Sequence, residues 1–133
     1  MKMPQRFSVK GRLRSFVFAF QGIEILLKTQ HNARIHAFAG LAILGLSVWL
    51  QVGKIKFCLI LFAVALVWVA EAFNTVFEIV VNMVSPAQMG KARRAKDVAA
   101  AAVLFASTAA AVIGLLILGP PLFYAVWPFL GLR

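Results

Sequence analysis

The sequence is poor in charged residues, and acidic residues are the scarcer kind. Charged residues make up 14% of the 133 positions, and only four are acidic: Glu24, Glu71, Glu78 and Asp97. Fourteen Lys and Arg residues oppose them, which gives a formal net charge of +10. Hydrophobic residues reach 62%, whereas soluble domains are about 45–50% apolar. This composition excludes an ordinary soluble domain and predicts a membrane protein.

Cysteine is almost absent, and Cys58 alone cannot form an intrachain disulfide. It lies in an apolar run with no His or second Cys spaced as a metal ligand, so we expect inert packing there. The basic N-terminal stretch is not followed by an apolar segment with a small-residue cleavage site. We therefore expect no cleaved signal peptide.

The excess of positive charge predicts binding to anionic lipid head groups or phosphate-bearing ligands. Nucleic acid is the alternative partner for a chain of net charge +10. The apolar runs are too long for a soluble nucleic-acid-binding protein, so we expect no such partner.

Three apolar segments, residues 36–52, 57–84 and 98–118, predict transmembrane helices, because about 20 apolar residues cross a bilayer core. Residues 8–29 predict an amphipathic helix at the membrane surface. Pro120 and Pro121 are expected to stop the third span, leaving residues 122–133 as an aromatic interfacial tail. We thus predict one all-α membrane domain over residues 1–133.

The connections and their charges predict the topology. Residues 53–56 form a loop so short that the first two spans must be antiparallel, and Pro86 and Gly90 break the chain before the third span. Lys and Arg concentrate before the first span and between the second and third. By the positive-inside rule, the N-terminus and the second loop lie on the cytoplasmic side of the inner membrane.

Polar side chains interrupt the second apolar segment. Glu71, Asn74, Glu78 and Asn82 recur at i, i+3, i+7 and i+11, which places them on one narrow helix face with Thr75 beside them. A carboxylate inside a span is costly unless it faces protein, a cation or water. We call this face the polar stripe, and we expect it to carry the function.

Two interpretations of the polar stripe are open. Asn74 and Thr75 could form hydrogen bonds between helices while the glutamates pair with Lys or Arg from neighbouring helices. Alternatively, the carboxylate and amide oxygens bind a hard cation such as Mg2+. Because about 10 Å of helix separates Glu71 from Glu78, different roles are expected: a general base for the deeper Glu71 and a metal ligand for the shallower Glu78.

A basic cluster, Lys91, Arg93, Arg94 and Lys96, precedes the third span and ends at Asp97. Such a cluster often serves only topology and lipid attraction. Asp97, however, would lie in the first turn of a helix, where it could bind a ribose or a metal while Lys96 meets phosphate. Together with the polar stripe, the cluster favours phosphoryl transfer to a lipid.

At these residues the sequence resembles the prokaryotic diacylglycerol kinase family of small membrane enzymes, which includes undecaprenol kinases. The resemblance rests on three segments: the E-x-x-N-[ST]-x-x-E pattern of residues 71–78, the segment 95–97 with the Ala-rich run after it, and the N-x-R-I-H segment of residues 32–36. It covers most of residues 12–118.

The resemblance implies a homotrimer that transfers the γ-phosphate of ATP to a lipid hydroxyl, with Mg2+ as cofactor. It implies that Glu71 is the general base and Glu78 a metal ligand, and that Asn74, Glu78, Lys96 and Asp97 bind the nucleotide and its metal. Arg12 or Arg14 would contact the nucleotide or the lipid. His36 is as readily an interfacial anchor as a site residue.

Two positions depart from the family pattern. Gln30 stands where members usually have Glu, and Asn82 where many have Asp. Gln30 still offers an oxygen to a metal but brings no charge, so we expect weaker metal binding or the loss of one metal position. Glu24 lies too far along and around the helix to compensate.

The leading functional prediction is a Mg-ATP-dependent lipid kinase that acts on undecaprenol or diacylglycerol. A small proton- or cation-coupled transporter is the alternative, since intramembrane glutamates also carry ions. A family member with weakened or lost catalysis is a third reading, suggested by Gln30 and Asn82.

Overall fold

Four α-helices form nearly all of the chain that the structure, a computed structural model, describes. It describes residues 8–85 and 90–130, in which the elements are α1 (Val9–Thr29), α2 (His31–Trp49), α3 (Lys54–Val84), α4 (Lys91–Val126) and the 3-10 helix Trp127–Leu130. The described ranges contain no strand, so the all-α prediction is confirmed. The predicted helix breaker Pro86 and the basic residues Lys2, Arg6 and Arg133 lie outside the described residues.

Helix α1 begins and ends at identifiable caps. The Ser8 hydroxyl accepts a hydrogen bond from the Gly11 N–H at 3.3 Å, which satisfies one of the free donors of the first turn. Gln30 is extended, ends α1 and immediately precedes α2. The helix predicted at residues 8–29 is therefore present, while its position at a membrane surface stays a prediction.

Helices α2 and α3 are joined by a tight turn. The Val52 N–H donates to the Ser47 carbonyl at 3.2 Å and the Gln51 N–H to the Val48 carbonyl at 3.1 Å. This pair of bonds is a Schellman motif, in which Gln51 occupies the left-handed position that glycine usually takes, with φ at 49°. The turn reverses the chain, so α2 and α3 run antiparallel as predicted.

Helix α3 lies at the centre of the bundle and packs against both α2 and α4. Small residues allow the close approach: a Cβ built on Gly40 of α2 would lie 3.0 Å from Val64 Cγ1 of α3. On the other side, Ala99, Val103 and Ala106 of α4 are buried. The Ala-rich helix packs closely, in line with its composition.

Two helices, α3 with 31 residues and α4 with 36, are long and apolar enough to cross a membrane. In the apolar 18-residue stretch of each helix, only 22% is buried within the protein. Most of this apolar surface is therefore left for lipid or for other protein. These features indicate a membrane protein. The first predicted span, residues 36–52, corresponds to α2, whose 19 residues begin with the polar residues His31, Asn32 and Arg34, and its membrane crossing stays a prediction.

The predicted stop at residues 119–121 is wrong, because α4 continues through Pro120 and Pro121 to Val126. Each proline ring removes one N–H donor, which would have bonded to the carbonyl of Leu116 or Ile117, and crowds that carbonyl. Gly119, which precedes Pro120, has no Cβ to clash with the proline ring. Residues 122–130 of the expected aromatic tail thus form the end of α4 and the 3-10 helix, where the Phe123 and Trp127 rings lie 5.1 Å apart.

Candidate functional site

The polar stripe lies on α3 and passes from the protein interior to its surface. Glu71 is 1% exposed, Asn74 is 7% exposed, Glu78 is half-buried and Asn82 is exposed. The 3.6-residue period keeps all four on one side of α3, and their exposure rises from Glu71 to Asn82. Glu71 is therefore the deeper carboxylate, as predicted.

Glu71 and Asn74 line a cavity of about 270 Å3 between α2, α3 and α4. The other lining residues are Asn32, Ile35 and His36 of α2 and Ala100, Val103, Leu104 and Ser107 of α4. We call this space the carboxylate cavity. It has room for several water-sized groups beside Glu71 and Asn74.

The side chains in the carboxylate cavity do not satisfy one another. Among the described residues, neither carboxylate oxygen of Glu71 has a hydrogen-bond partner, and neither does the Asn74 side-chain oxygen. Thr75 donates its hydroxyl to the Glu71 backbone carbonyl at 2.9 Å, within α3 itself. Among the described residues, no hydrogen bond between helices therefore accounts for the Glu71 carboxylate or the Asn74 side-chain oxygen. Buried oxygens without partners are costly, and they are typical of sites that a ligand, an ion or water completes.

The half-buried Glu78 receives a partner from the α1–α2 junction. Gln30 Nε2 donates to Glu78 Oε2 at 3.1 Å, a contact between residues 48 positions apart. Gln30 reaches Glu78 because it is the extended residue between α1 and α2 and projects toward the exposed half of the polar stripe. The structure thus brings together the two residues predicted as metal ligands.

The donor set around Glu78 fits a magnesium ion that is shared with phosphate oxygens. The described residues contain no group of three or more His, Cys, Asp or Glu side chains arranged around one metal position. Mg2+ does not need such a cage, since it is commonly bound by one or two carboxylates with substrate phosphates and water completing its shell. Glu78 supplies the carboxylate, and rotation of the Gln30 amide would turn its oxygen toward the same point.

The basic cluster of residues 91–96 is divided between two faces of α4. Lys96 Nζ donates to Asn82 Oδ1 at 3.3 Å, which places Lys96 at the exposed end of the polar stripe. Lys91 and Arg94 instead line a separate groove with Phe77. Asp97 is exposed. The expectation that Asp97 lies in the first helical turn is wrong, because α4 begins at Lys91 and Asp97 therefore lies in the second turn.

The remaining predicted residues lie outside the carboxylate cavity. Arg12 is exposed near the start of α1 and does not line the cavity. Glu24 pairs with Lys28 on the exposed side of α1, and both side chains are more than half exposed. This contact agrees with the expectation that Glu24 does not replace the missing acid at residue 30.

Ser107 was missed by reasoning from the sequence, where it reads as one more small packing residue of the Ala-rich helix. The structure places it in the wall of the carboxylate cavity with Ala100 and Val103. The sequence did contain a signal for Ser107. One helix face, with the spacing i, i+4, i+7 and i+11, includes Lys96, Ala100, Val103 and Ser107. Lys96 and Ser107 thus lie on the face of α4 that packs against the polar stripe.

Comparison with known proteins shows the family of the chain. Residues 17–118 match the family "Prokaryotic diacylglycerol kinase". The chain belongs to the prokaryotic diacylglycerol kinase family. It is 38% identical over 111 residues to a protein named diacylglycerol kinase from Synechocystis, and 32% identical over 109 residues to undecaprenol kinase from Bacillus subtilis.

The aligned region makes up different fractions of the lengths of the two relatives. The matches take in 83% and 82% of this chain, but 63% of the Synechocystis protein and 89% of the Bacillus protein. Membership of this family indicates a lipid kinase, and lipid kinases are transferases. A kinase family also implies a nucleotide co-substrate. No observation on the described residues favours a transporter.

Proposed function

We propose that this protein is a Mg-ATP-dependent membrane kinase that transfers the γ-phosphate of ATP to the hydroxyl of a lipid alcohol. The observation that carries the proposal is the buried Glu71 carboxylate, which has no hydrogen-bond partner among the described residues and faces a cavity. Family membership supports the same activity. The acceptor is undecaprenol or diacylglycerol, the lipids that the names of the two relatives contain.

The reaction is an in-line displacement at the γ-phosphorus. The lipid hydroxyl oxygen forms a bond to this phosphorus, the bond from the phosphorus to the β–γ bridging oxygen breaks, and ADP leaves with that electron pair. The hydroxyl proton passes to a Glu71 carboxylate oxygen, which accepts no hydrogen bond from the described residues. Glu71 is therefore the general base.

The nucleotide binds toward the exposed half of the polar stripe. Lys96, held by Asn82, places a positive charge where the phosphates would lie, and the Asn74 side-chain oxygen is unpartnered at the boundary with the carboxylate cavity. Glu78 and Gln30 would hold the magnesium ion, whose chemistry is to neutralise charge on the phosphate oxygens. Asp97 and Arg12 would contact the nucleotide from the rim.

The membrane arrangement follows from the same assignment. The protein acts in the inner membrane, with α2, α3 and α4 as spans, α1 on the cytoplasmic surface, and the N-terminus in the cytoplasm. A homotrimer, which the family resemblance implies, would cover part of the exposed apolar surface of α3 and α4. These points belong to the proposal.

Phosphate transfer from labelled ATP to undecaprenol and to diacylglycerol in detergent micelles tests the activity. Glu71→Gln keeps the size of the side chain but removes the base, and we expect at least about a hundredfold loss in kcat. Glu24→Gln is the matched control, because Glu24 is exposed and pairs only with Lys28. Absence of transfer to either lipid, or equal activity of the two variants, would contradict the proposal.

A further inference from the structure

A groove between α3 and α4 lies apart from the carboxylate cavity. It has a volume of about 540 Å3, and the two spaces share no lining residue. Its wall includes Phe77 of α3 and Lys91, Arg94, Val98 and Ala102 of α4. We call it the basic groove. The proposed phosphate transfer uses none of these side chains.

The basic groove occupies the side of α4 that faces away from the polar stripe. At about 100° per residue, Lys91, Arg94, Val98 and Ala102 fall within one face about 80° wide. Lys96, which lies at the exposed end of the polar stripe, is about 140° around the helix from Lys91. A ligand in the basic groove therefore does not meet the side chain that is proposed to bind the nucleotide phosphates.

One end of the basic groove is positively charged. Lys91 and Arg94 are exposed, and neither has a carboxylate partner in the part of the chain that the structure describes. None of the described acidic residues lines the groove. Residues at i and i+3 are neighbours on a helix surface, so the two cations can reach one phosphate group. Hydrogen bonds from Lys and Arg to phosphate are among the stronger ones in proteins.

The other end of the basic groove is apolar. Val98 and Ala102 continue the same face of α4, and Phe77 of α3 lines the groove with them. Val98 is 71% exposed and Phe77 is 50% exposed, so this wall is open to the surroundings. From Arg94 to Ala102 the helix rises about 12 Å. A hydrocarbon chain along this stretch would bury apolar surface that the protein itself leaves uncovered.

We propose that the basic groove binds an anionic phospholipid of the surrounding membrane. The lipid phosphate lies against Lys91 and Arg94, and an acyl chain lies along Val98 and Ala102. Basic pockets between membrane helices are common sites for phospholipid head groups. The site is separate from the carboxylate cavity, and the inference does not depend on the proposed function.

Two other occupants fit the basic groove less well. A nucleotide would contact the two cations but would leave the apolar end open. A second copy of the chain would have to bring a carboxylate to the cations. Glu71 is buried, and Glu24 and Glu78 already have partners. Of the described acidic residues this leaves Asp97 alone, whereas every anionic phospholipid brings both a phosphate and an acyl chain.

Fluorescence quenching by brominated lipids tests the site. Phe77→Trp places a reporter in the basic groove of the full chain, in a background in which Trp49, Trp68 and Trp127 are replaced by Phe. The protein is reconstituted in phosphatidylcholine bilayers that contain brominated phosphatidylglycerol or brominated phosphatidylcholine. Phosphatidylglycerol should quench the reporter at the lower mole fraction, and each of the two cations should contribute about fivefold to this preference.

Matched variants separate the basic groove from general attraction to the basic cluster. Lys91→Met and Arg94→Met should each lower the preference for phosphatidylglycerol about fivefold. Arg93→Met removes the same charge outside the groove and should leave the preference unchanged. Ala102→Leu fills the apolar end and should reduce quenching by both lipids, while Ala109→Leu, at an exposed position outside the groove, should not.

Three results would overturn the inference. The first is an equal loss in Arg93→Met and Arg94→Met, which would show attraction to the cluster as a whole. The second is equal quenching by phosphatidylglycerol and phosphatidylcholine. The third is no quenching by either lipid together with a changed oligomeric state in Arg94→Met, which would assign the groove to a second copy.

A second measurement needs no reporter and serves if Phe77→Trp does not fold. Native mass spectrometry of the unaltered chain, of Arg94→Met and of Arg93→Met counts the phosphatidylglycerol molecules that stay bound in detergent. Arg94→Met alone should lose bound lipid. Equal counts in the two variants would contradict the proposed site.

Discussion

Replacing Gln30 by Glu tests the pairing at the exposed half of the polar stripe. In the structure the Gln30 amide donates to Glu78 at 3.1 Å, so this carboxylate is satisfied without a cation. Gln30→Glu removes the donor and places a second carboxylate beside the first. The protein would then need a cation to hold the two groups together.

The expected magnitude follows from Coulomb's law. Two unit charges about 4 Å apart repel by about 1 kcal/mol in water and about 4 kcal/mol at an effective dielectric constant of 20. Glu78 is half-buried, so the value lies between these limits. Because 1.4 kcal/mol is a tenfold change in affinity, relief of the repulsion should strengthen Mg2+ binding by about ten- to a hundredfold.

Calorimetric titration of the detergent-solubilised protein with Mg2+, without ATP, measures this change. Gln21→Glu is the matched control, because it makes the same substitution at an exposed position of α1. Gln30→Ala is a second control, which loses the hydrogen bond but adds no charge. In EDTA, the thermal midpoint of Gln30→Glu should fall below that of Gln21→Glu, since a hydrogen bond to a charged group contributes about 1.5–3 kcal/mol.

The reasoning is refuted if Gln30→Glu and Gln21→Glu bind Mg2+ with the same affinity. It is also refuted if Gln30→Ala gains as much affinity as Gln30→Glu, because the gain would then come from freeing Glu78 and not from the added charge.

Three further predictions concern binding and stability. Lys96→Met should raise the KM for ATP by about tenfold with a smaller effect on the KM for lipid, while Lys91→Met, on the other face of α4, should not; initial rates at varied ATP compare the two. Gln51→Gly should raise the free energy of unfolding by up to about 1 kcal/mol, because glycine takes the left-handed conformation freely, and thermal unfolding in detergent that shows no increase would contradict the Schellman assignment. Leu26→Ala should lower the free energy of unfolding by about 2–5 kcal/mol because Leu26 is buried. An equal effect of Leu13→Ala, at an exposed position of α1, would contradict a packing role for Leu26.

Reasoning from the sequence located the polar stripe because helical periodicity is a local property. The spacing of Glu71, Asn74 and Glu78 fixes their common face whatever packs against it. That Glu71 and Asn74 would be buried without partners is not local, since it depends on how α2 and α4 close over α3. The pairing of Gln30 with Glu78 likewise depends on where the α1–α2 junction falls in space.

The errors in the predicted bounds also have physical causes. Proline was taken to end α4, but the helix continues through Pro120 and Pro121, and Gly119 has no Cβ to clash with the Pro120 ring. Asp97 was placed in the first turn because the apolar run begins at residue 98, whereas the helix itself starts seven residues earlier, among basic residues. Hydropathy marks where a helix becomes apolar and not where its backbone hydrogen bonding begins.

The length of α3 has a consequence for how the proposed lipid alcohol and nucleotide are placed along the protein. Its 31 residues measure about 46 Å at about 1.5 Å per residue, while the hydrocarbon core of a bilayer is about 30 Å thick. In the proposed membrane arrangement, α3 therefore also extends into the head-group region, and the distance along α3 between Glu71 and Glu78 is set by the helix and not by the lipid. Under the proposed function, a change in membrane thickness would then alter how much of α3 is exposed to water, and with it the access of the lipid alcohol and the nucleotide to the polar stripe.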